Sequence, residues 1–169
     1  MKEKIKNFIQ KNTPPGTDVW LLPRYLVVGV TVAVVYSFSF WHRFFERYFQ
    51  LFVREGNVTV LSGLKMTDFH ELYHGSMLAF FTFMLLCAAF VIYFYAYYRQ
   101  GSKSIYLMRR LPKKFEMHRR AFLIPLIMCA IFFALAVIIT FIYFGLYMLI
   151  TPNECLYPDQ WQKFWRYLL

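Results

Sequence analysis

The sequence has 169 residues, of which 59% are hydrophobic and 22% aromatic, and its 19 Lys/Arg against nine Asp/Glu give a formal net charge of +10. Soluble domains contain about 45–50% apolar residues, so this composition indicates a membrane protein. Its three dispersed cysteines exclude a disulfide framework and a CxxC metal site. The basic residues flank apolar segments instead of forming a soluble patch, so we expect no nucleic acid partner.

The N-terminal segment, residues 1–18, is polar and basic. Ile5, Phe8 and Ile9 recur at helical spacing among four lysines, which predicts a short amphipathic helix that can lie on a membrane surface. A solvated tail is the alternative interpretation. The segment has no continuous apolar core, so we expect no cleavable signal peptide.

Three apolar stretches predict transmembrane helices at 20–41, 75–98 and 121–150. The second and third contain no Asp, Glu, Lys, Arg or His, and at about 1.5 Å rise per residue each can span the roughly 30 Å hydrocarbon layer. The first has a shorter uncharged core, which Trp20, Leu21 and Leu22 lengthen if the Arg24 side chain reaches back to the interface. The third is longer than one bilayer requires, so it tilts or begins among the headgroups near Pro125.

Two further segments have aromatic residues on one helical face. Polar positions in 42–54 alternate with aromatic ones, and Trp161, Phe164 and Trp165 share a face within 151–169. Both patterns predict amphipathic helices at the outer interface, the second one lying on the lipid or packing on a partner. The fold class is therefore all-α: a single membrane domain over 1–169 with three transmembrane helices and short interfacial amphipathic helices.

The distribution of Lys and Arg predicts the orientation. Residues 1–24 carry five and residues 99–120 carry eight, whereas 42–74 carry four and 151–169 carry two. Basic segments next to spans stay on the cytoplasmic side. We therefore expect a multi-pass protein of a cell membrane, with a cytoplasmic N-terminus, a basic cytoplasmic loop at 99–120 and a C-terminus outside.

One motif carries metal chemistry. His70, Glu71 and His74 form an HExxH pattern, which on a helix places two zinc ligands on one face with a glutamate to activate water. Asp68 stands where a capping box would start that helix. The alternative is a helix start whose histidines face water. A catalytic zinc needs a third protein ligand. Candidates on the same side are His42, Glu154 and Asp159.

Two features that the sequence lacks limit how any transport by this protein could be driven. Residues 75–98 and 121–150 have no ionisable group of the kind that proton relays and ion pathways need. The sequence also contains no GxxxxGK[ST] phosphate-binding loop. We expect neither an enzyme nor a cofactor of its own, and any ATP-driven work must be powered by another subunit.

The basic loop predicts a short helix from Ser102 or Ser104 to Pro112. One side of this helix is apolar and the other is basic: Ile105, Met108 and Leu111, against Arg109 and Arg110. A short helix at the membrane surface suits the groove of a protein partner. The alternative is a topology signal that only touches anionic lipid.

The stretch GSKSIYLMRRLP, followed by His118-Arg119-Arg120, resembles small three-span clostridial membrane proteins associated with ABC transporters. The order of span, outer loop, span, cytoplasmic helix ending in Leu111-Pro112, and span resembles the first half of an ABC-2 type exporter permease, although this chain has three spans where that family has six. The resemblance is best over residues 95–150.

In that family the cytoplasmic helix docks on an ATP-binding subunit, which carries the ATP. The resemblance implies that this chain is a permease-type or accessory subunit that pairs with another permease copy or a paralogous subunit in the lipid bilayer. The implied contact residues are Ile105, Tyr106, Met108, Arg109, Arg110, Leu111 and Pro112. The alternatives are a membrane zinc-dependent hydrolase that uses 70–74, and a regulatory interaction protein that transports nothing.

Overall fold

A computed structural model describes residues 2–13, 18, 20–55, 58–61, 63–99 and 116–168. The helices in these residues are α1 (Lys2–Asn12), α2 (Leu21–Ser37), α3 (Ser39–Gln50), α4 (Phe69–Tyr73), α5 (Leu78–Arg99), α6 (Glu116–Ile150) and α7 (Gln160–Leu168), with a 3-10 turn at Asn153–Cys155. Two short strands, β1 (Phe52–Glu55) and β2 (Val58–Leu61), pair antiparallel.

Of the described residues, three helical segments are long and apolar enough to cross a membrane: Leu21–Gln50, Leu78–Ala96 and His118–Ile150. This confirms the predicted all-α membrane fold with three transmembrane helices. The described chain divides into two compact units, each of which contains part of every long helix. Unit 1 comprises Met1–Val32 with Phe80–Leu135, and unit 2 comprises Ala33–Ala79 with Ala136–Leu169.

In unit 1 the helices pack through aromatic rings against a glycine. Phe83 of α5 and Phe132 of α6 stack with their ring centroids 5.6 Å apart. A β-carbon on Gly29 of α2 would lie 2.9 Å from Phe132 Cζ and 3.0 Å from Phe83 Cδ1. The Tyr25 hydroxyl donates a 3.2 Å hydrogen bond to the Phe83 carbonyl. Lipid provides no hydrophobic drive for helix association, so this close approach and its hydrogen bond hold the helices together.

The predicted N-terminal amphipathic helix is present as α1. Ile9 is buried and Phe8 is half exposed. The end of the helix is closed by two side chains, since Asn12 Nδ2 donates to the Phe8 carbonyl and Thr13 Oγ1 to the Ile9 carbonyl, both at 2.9 Å. These bonds supply partners to carbonyls that the end of a helix leaves unsatisfied.

The first span differs from the prediction, because its helix is interrupted at Phe38 between α2 and α3. Ser37 is responsible for much of the local geometry. Its hydroxyl lies 2.7 Å from the Val34 carbonyl and 2.9 Å from the Tyr143 hydroxyl. Three residues later Phe40 stacks on the Tyr143 ring with a centroid distance of 4.8 Å. Unit 2 therefore fixes the end of α2 and the start of α3 on the same part of α6.

The predicted amphipathic helix at 42–54 is wrong in its second part, because α3 ends at Gln50 and a hairpin follows. The hairpin register pairs Phe52 with Leu61 and Glu55 with Val58. The local sequence is rich in β-branched residues, which favour strands over helices, and Gly56-Asn57 between the strands is typical of a tight hairpin. The helical spacing of the aromatic residues in 42–54 led to the prediction of a helix there instead.

The two remaining spans also have shifted starts. Gly75 adopts a left-handed φ of +80°, and α5 begins only at Leu78. The third helix begins earlier than predicted, at Glu116, and runs through Pro125 to Ile150. Proline lacks the N–H that bonds the carbonyl four residues earlier, but a long apolar helix in lipid can continue through such a site when its neighbours compensate.

Replacing Gly29 by Leu tests the packing of unit 1. The new side chain would collide with the stacked Phe83 and Phe132 rings, so we expect a loss of about 1–3 kcal/mol of stability, as for other overpacked sites. Gly145→Leu is the matched control, since nothing lies within 4 Å of a β-carbon built there. The measurement is thermal unfolding in detergent. Equal melting temperatures for the two variants would contradict this packing.

Candidate functional site

The predicted partner-binding residues lie outside the described residues, between the end of α5 at Arg99 and the start of α6 at Glu116. They are Ile105, Tyr106, Met108, Arg109, Arg110, Leu111 and Pro112. The helix predicted at 102–112 therefore stays a prediction. What the structure describes is the pair of helix ends from which this segment extends.

These helix ends are joined within unit 1. The Tyr95 hydroxyl of α5 forms a hydrogen bond with His118 Nδ1 of α6. The Tyr95 ring also packs edge-on against Phe122, with a centroid distance of 5.8 Å. Tyr95 lies four residues before the last residue of α5, and His118 two residues after the first of α6. The basic segment 100–115 is thus attached at both ends to helices that contact each other.

The HExxH motif lies on α4, but the helix is only five residues long. Phe69 and Leu72 are its buried residues, whereas His70 and Glu71 are exposed. His74 has left the helix, with φ −52° and ψ 127°. The inward positions of the motif therefore serve packing, and its histidines face the outside.

A catalytic zinc site requires both imidazoles of the motif to bind the same ion together with a third protein ligand. The His70 and His74 rings lie 6.1 Å apart between centroids. Within the described ranges, no group of three His, Cys, Asp or Glu residues is placed to hold a metal ion. The Arg43 guanidinium donates to the carbonyls of Leu72, at 3.4 Å, and His74, which places a permanent positive charge beside the motif. The zinc hydrolase stays an untested prediction.

Asp68 does not make the capping box that the sequence predicts, because its side chain forms no cap hydrogen bond. Its carboxylate instead accepts hydrogen bonds from Gln160 Nε2 at 2.9 Å and from Lys163 Nζ at 3.0 Å. Burial alone raises the pKa of the Asp68 carboxyl, but these hydrogen bonds and the Lys163 charge outweigh it, so its pKa lies below the usual value. The carboxylate links α4 to α7 across the chain.

The C-terminal helix α7 packs on its own chain. Phe164 is buried, and its ring stacks on Phe144 with centroids 4.2 Å apart and meets Phe69 at 5.9 Å. The preceding segment is attached as well, since the Met66 N–H donates to the Cys155 carbonyl at 2.8 Å. The sequence predicted that this helix lies on lipid or packs on a partner. The described contacts show that its buried face packs on α4 and α6 of the same molecule.

Sequence reasoning missed two residues that organise this region. Lys163 bonds a carboxylate 95 residues away, and Arg43 bonds carbonyls about 30 residues away. Long-range polar pairs of this kind leave no periodic signal in one sequence. The one relevant signal in the sequence was the amphipathic pattern of 159–168. It predicted that Phe164 packs against an apolar surface, but it did not identify that surface.

Comparison with protein-family models, with curated proteins and with solved structures gives no match to this chain. The class of protein follows from its own fold: an integral membrane protein with three helices long and apolar enough to span a bilayer. Its function has to be argued from its charges and contacts.

Replacing Asp68 by Asn tests the link between α4 and α7. The variant keeps the shape but loses the ion pair with Lys163, whose side chain is 36% exposed, so we expect a loss of only about 1 kcal/mol. Because the folded pKa is lowered, the wild-type contact is fully present above about pH 4 and is lost as the pH falls through the folded pKa.

The measurement is thermal unfolding followed by tryptophan fluorescence, since Trp161 and Trp165 both lie on α7. Asp159→Asn is the matched control at an exposed carboxylate just before the same helix. Wild type should lose stability between pH 5 and acid conditions more steeply than Asp68→Asn. Identical pH profiles for the two proteins would show that the carboxylate does not hold α7.

Proposed function

We propose that this protein is a permease-type or accessory membrane subunit of an ABC transporter, which contacts a separate ATP-binding subunit through residues 102–112. In this proposal it lies in the cell membrane, with its N-terminus and the basic loop in the cytoplasm and its C-terminus outside. ATP is bound and hydrolysed on the partner.

The observation that carries the proposal is the joined base of the basic loop. Tyr95 bonds His118 and packs on Phe122, so the two helices that flank residues 100–115 are connected next to the loop. A partner that moves such a loop moves both helices together. A loop between unconnected helix ends would dissipate the same displacement, because each end could shift alone.

The composition of the loop supports a protein contact. Residues 100–115 contain five Lys/Arg and no Asp or Glu, together with the apolar residues Ile105, Met108 and Leu111. Interfaces derive most of their affinity from a few buried apolar or aromatic anchors, while surrounding charges mainly raise the association rate and the specificity. This segment offers both kinds of residue within two or three helical turns.

The spans support a subunit that depends on a partner for energy. The two longest apolar segments have no charged residue with which to couple transport to an ion gradient. At most 28% of the apolar window in each span is buried within the described chain. The remaining surface is available to lipid and to a second permease copy or a paralogous subunit, as this function requires.

Truncating the apolar anchors of the loop tests the proposal. Ile105→Ala with Met108→Ala should reduce recovery of the ATP-binding subunit at least about tenfold, since two anchors contribute more than about 1.4 kcal/mol at an interface. Leu111→Asp should abolish recovery. Arg109→Ala with Arg110→Ala should have a smaller effect, which shows chiefly as weaker dependence on salt.

The measurement is affinity purification of the tagged protein from its own membranes, followed by quantitative mass spectrometry of a co-purified protein that contains a GxxxxGK[ST] loop. Phe45→Ala with Phe49→Ala is the matched control, because it removes two exposed aromatic side chains from α3. If the apolar loop variant retains its ATPase as fully as this control, the docking role is wrong.

A further inference from the structure

The net positive charge of this protein is unequally divided among the segments that flank its spans. The segments at the basic end, 1–24 and 99–120, carry thirteen Lys/Arg against three Asp/Glu. The segments at the opposite end, 42–74 and 151–169, carry six of each. The whole net charge of +10 therefore belongs to the basic end, and the opposite end is neutral. A bias that only sets orientation needs a difference in Lys and Arg, but it does not require an end that is so poor in acids.

The described part of the basic end contains both exposed cations and exposed aromatic rings. Lys4, Arg24 and Arg119 are exposed side chains of unit 1. Exposed rings occur in the same unit, with Phe8 50%, Trp20 42% and Tyr93 48% accessible. We name these six residues the basic collar. Aromatic rings of this kind settle at the headgroup level of a bilayer, which brings the cations to the depth of the lipid phosphates.

The relative position of Arg24 and Trp20 is defined by a backbone hydrogen bond. The Arg24 N–H donates to the Trp20 carbonyl at 3.1 Å, so the two residues are one helical turn apart on the same face. Within the part of the chain that the structure describes, neither Lys4 nor Arg24 forms an ion pair. Their charges are thus not neutralised by a described carboxylate, and a lipid phosphate can take that place.

We propose that the basic collar binds the headgroups of anionic phospholipids in preference to zwitterionic ones. A zwitterionic headgroup carries a cation beside its phosphate, and a cation is stabilised by a carboxylate or an aromatic cage. Because the collar is itself cationic, it repels that group. The segments at the opposite end carry both charges in equal number, and Lys163 pairs with Asp68 there, so no preference is expected at that end. The inference does not depend on the ATPase contact, because the collar and residues 102–112 share no residue.

Quenching of tryptophan by lipids with brominated acyl chains tests the proposal, because the four tryptophans lie at known positions. A variant with Trp41, Trp161 and Trp165 replaced by Phe reports on Trp20 alone. A variant with Trp20, Trp41 and Trp161 replaced by Phe reports on Trp165 of the neutral end, which is 37% exposed. Each protein is reconstituted in phosphatidylcholine vesicles in which brominated phosphatidylglycerol progressively replaces phosphatidylcholine.

At Trp20 we expect the anionic lipid to bind about fivefold more tightly than phosphatidylcholine, the ratio for one cation near an anionic surface. At Trp165 the ratio should be near one. Arg24→Gln in the Trp20 protein should bring its ratio close to one, and high salt should do the same. Brominated phosphatidylcholine, which quenches by contact alone, verifies that each variant is inserted.

A ratio of one at Trp20, equal ratios at Trp20 and Trp165, or an unchanged ratio in Arg24→Gln would each overturn the proposal. The Ile105→Ala/Met108→Ala protein serves as the independent control. It should keep the full lipid preference at Trp20 even though it loses the ATPase, so failure of the lipid proposal and failure of the transporter proposal give different results.

Discussion

The hydrocarbon layer excludes charged side chains, and the division of charge along this chain follows from that exclusion. The uncharged cores of the three spans hold no Asp, Glu, Lys or Arg, so all 28 of these residues are found at the ends of the spans or in the connecting and terminal segments. Thirteen of the nineteen cations are at one end of the spans. Orientation, the loop proposed to meet an ATP-binding subunit, and the surface proposed to meet anionic lipid all derive from this unequal division.

The same exclusion determines how the helices are held. Lipid tails are as apolar as the spans, so burying a leucine between helices gains little, and shape and hydrogen bonds have to supply the attraction. In unit 1 Gly29 admits the stacked Phe83 and Phe132 rings. In unit 2 Phe69 meets both Phe144 and Phe164, and thereby joins α4, α6 and α7. The helix that carries the HExxH motif thus begins with a residue, Phe69, that lies in an aromatic cluster.

The spans and the amphipathic helices could be predicted because length, hydropathy and helical spacing are local properties. The hairpin at Phe52–Leu61 could not, since Phe52 continues the helical spacing of the aromatic residues in α3 while the β-branched residues that follow favour strands. The start of α5 depends on the backbone of Gly75, and the bond from Lys163 to Asp68 depends on tertiary approach across 95 residues. Residues 100–115 lie outside the described part, so their role rests on sequence and on the joined helix ends beside them.

Labelling of single cysteines can determine whether the basic end lies in the cytoplasm, as proposed. In a background with Cys87, Cys129 and Cys155 replaced by Ser, cysteine is introduced either at Asn57 or at Lys113. A membrane-impermeant maleimide should label Asn57→Cys in intact cells, and should label Lys113→Cys only after the membrane is permeabilised. The reverse pattern would place the basic loop outside and contradict the account.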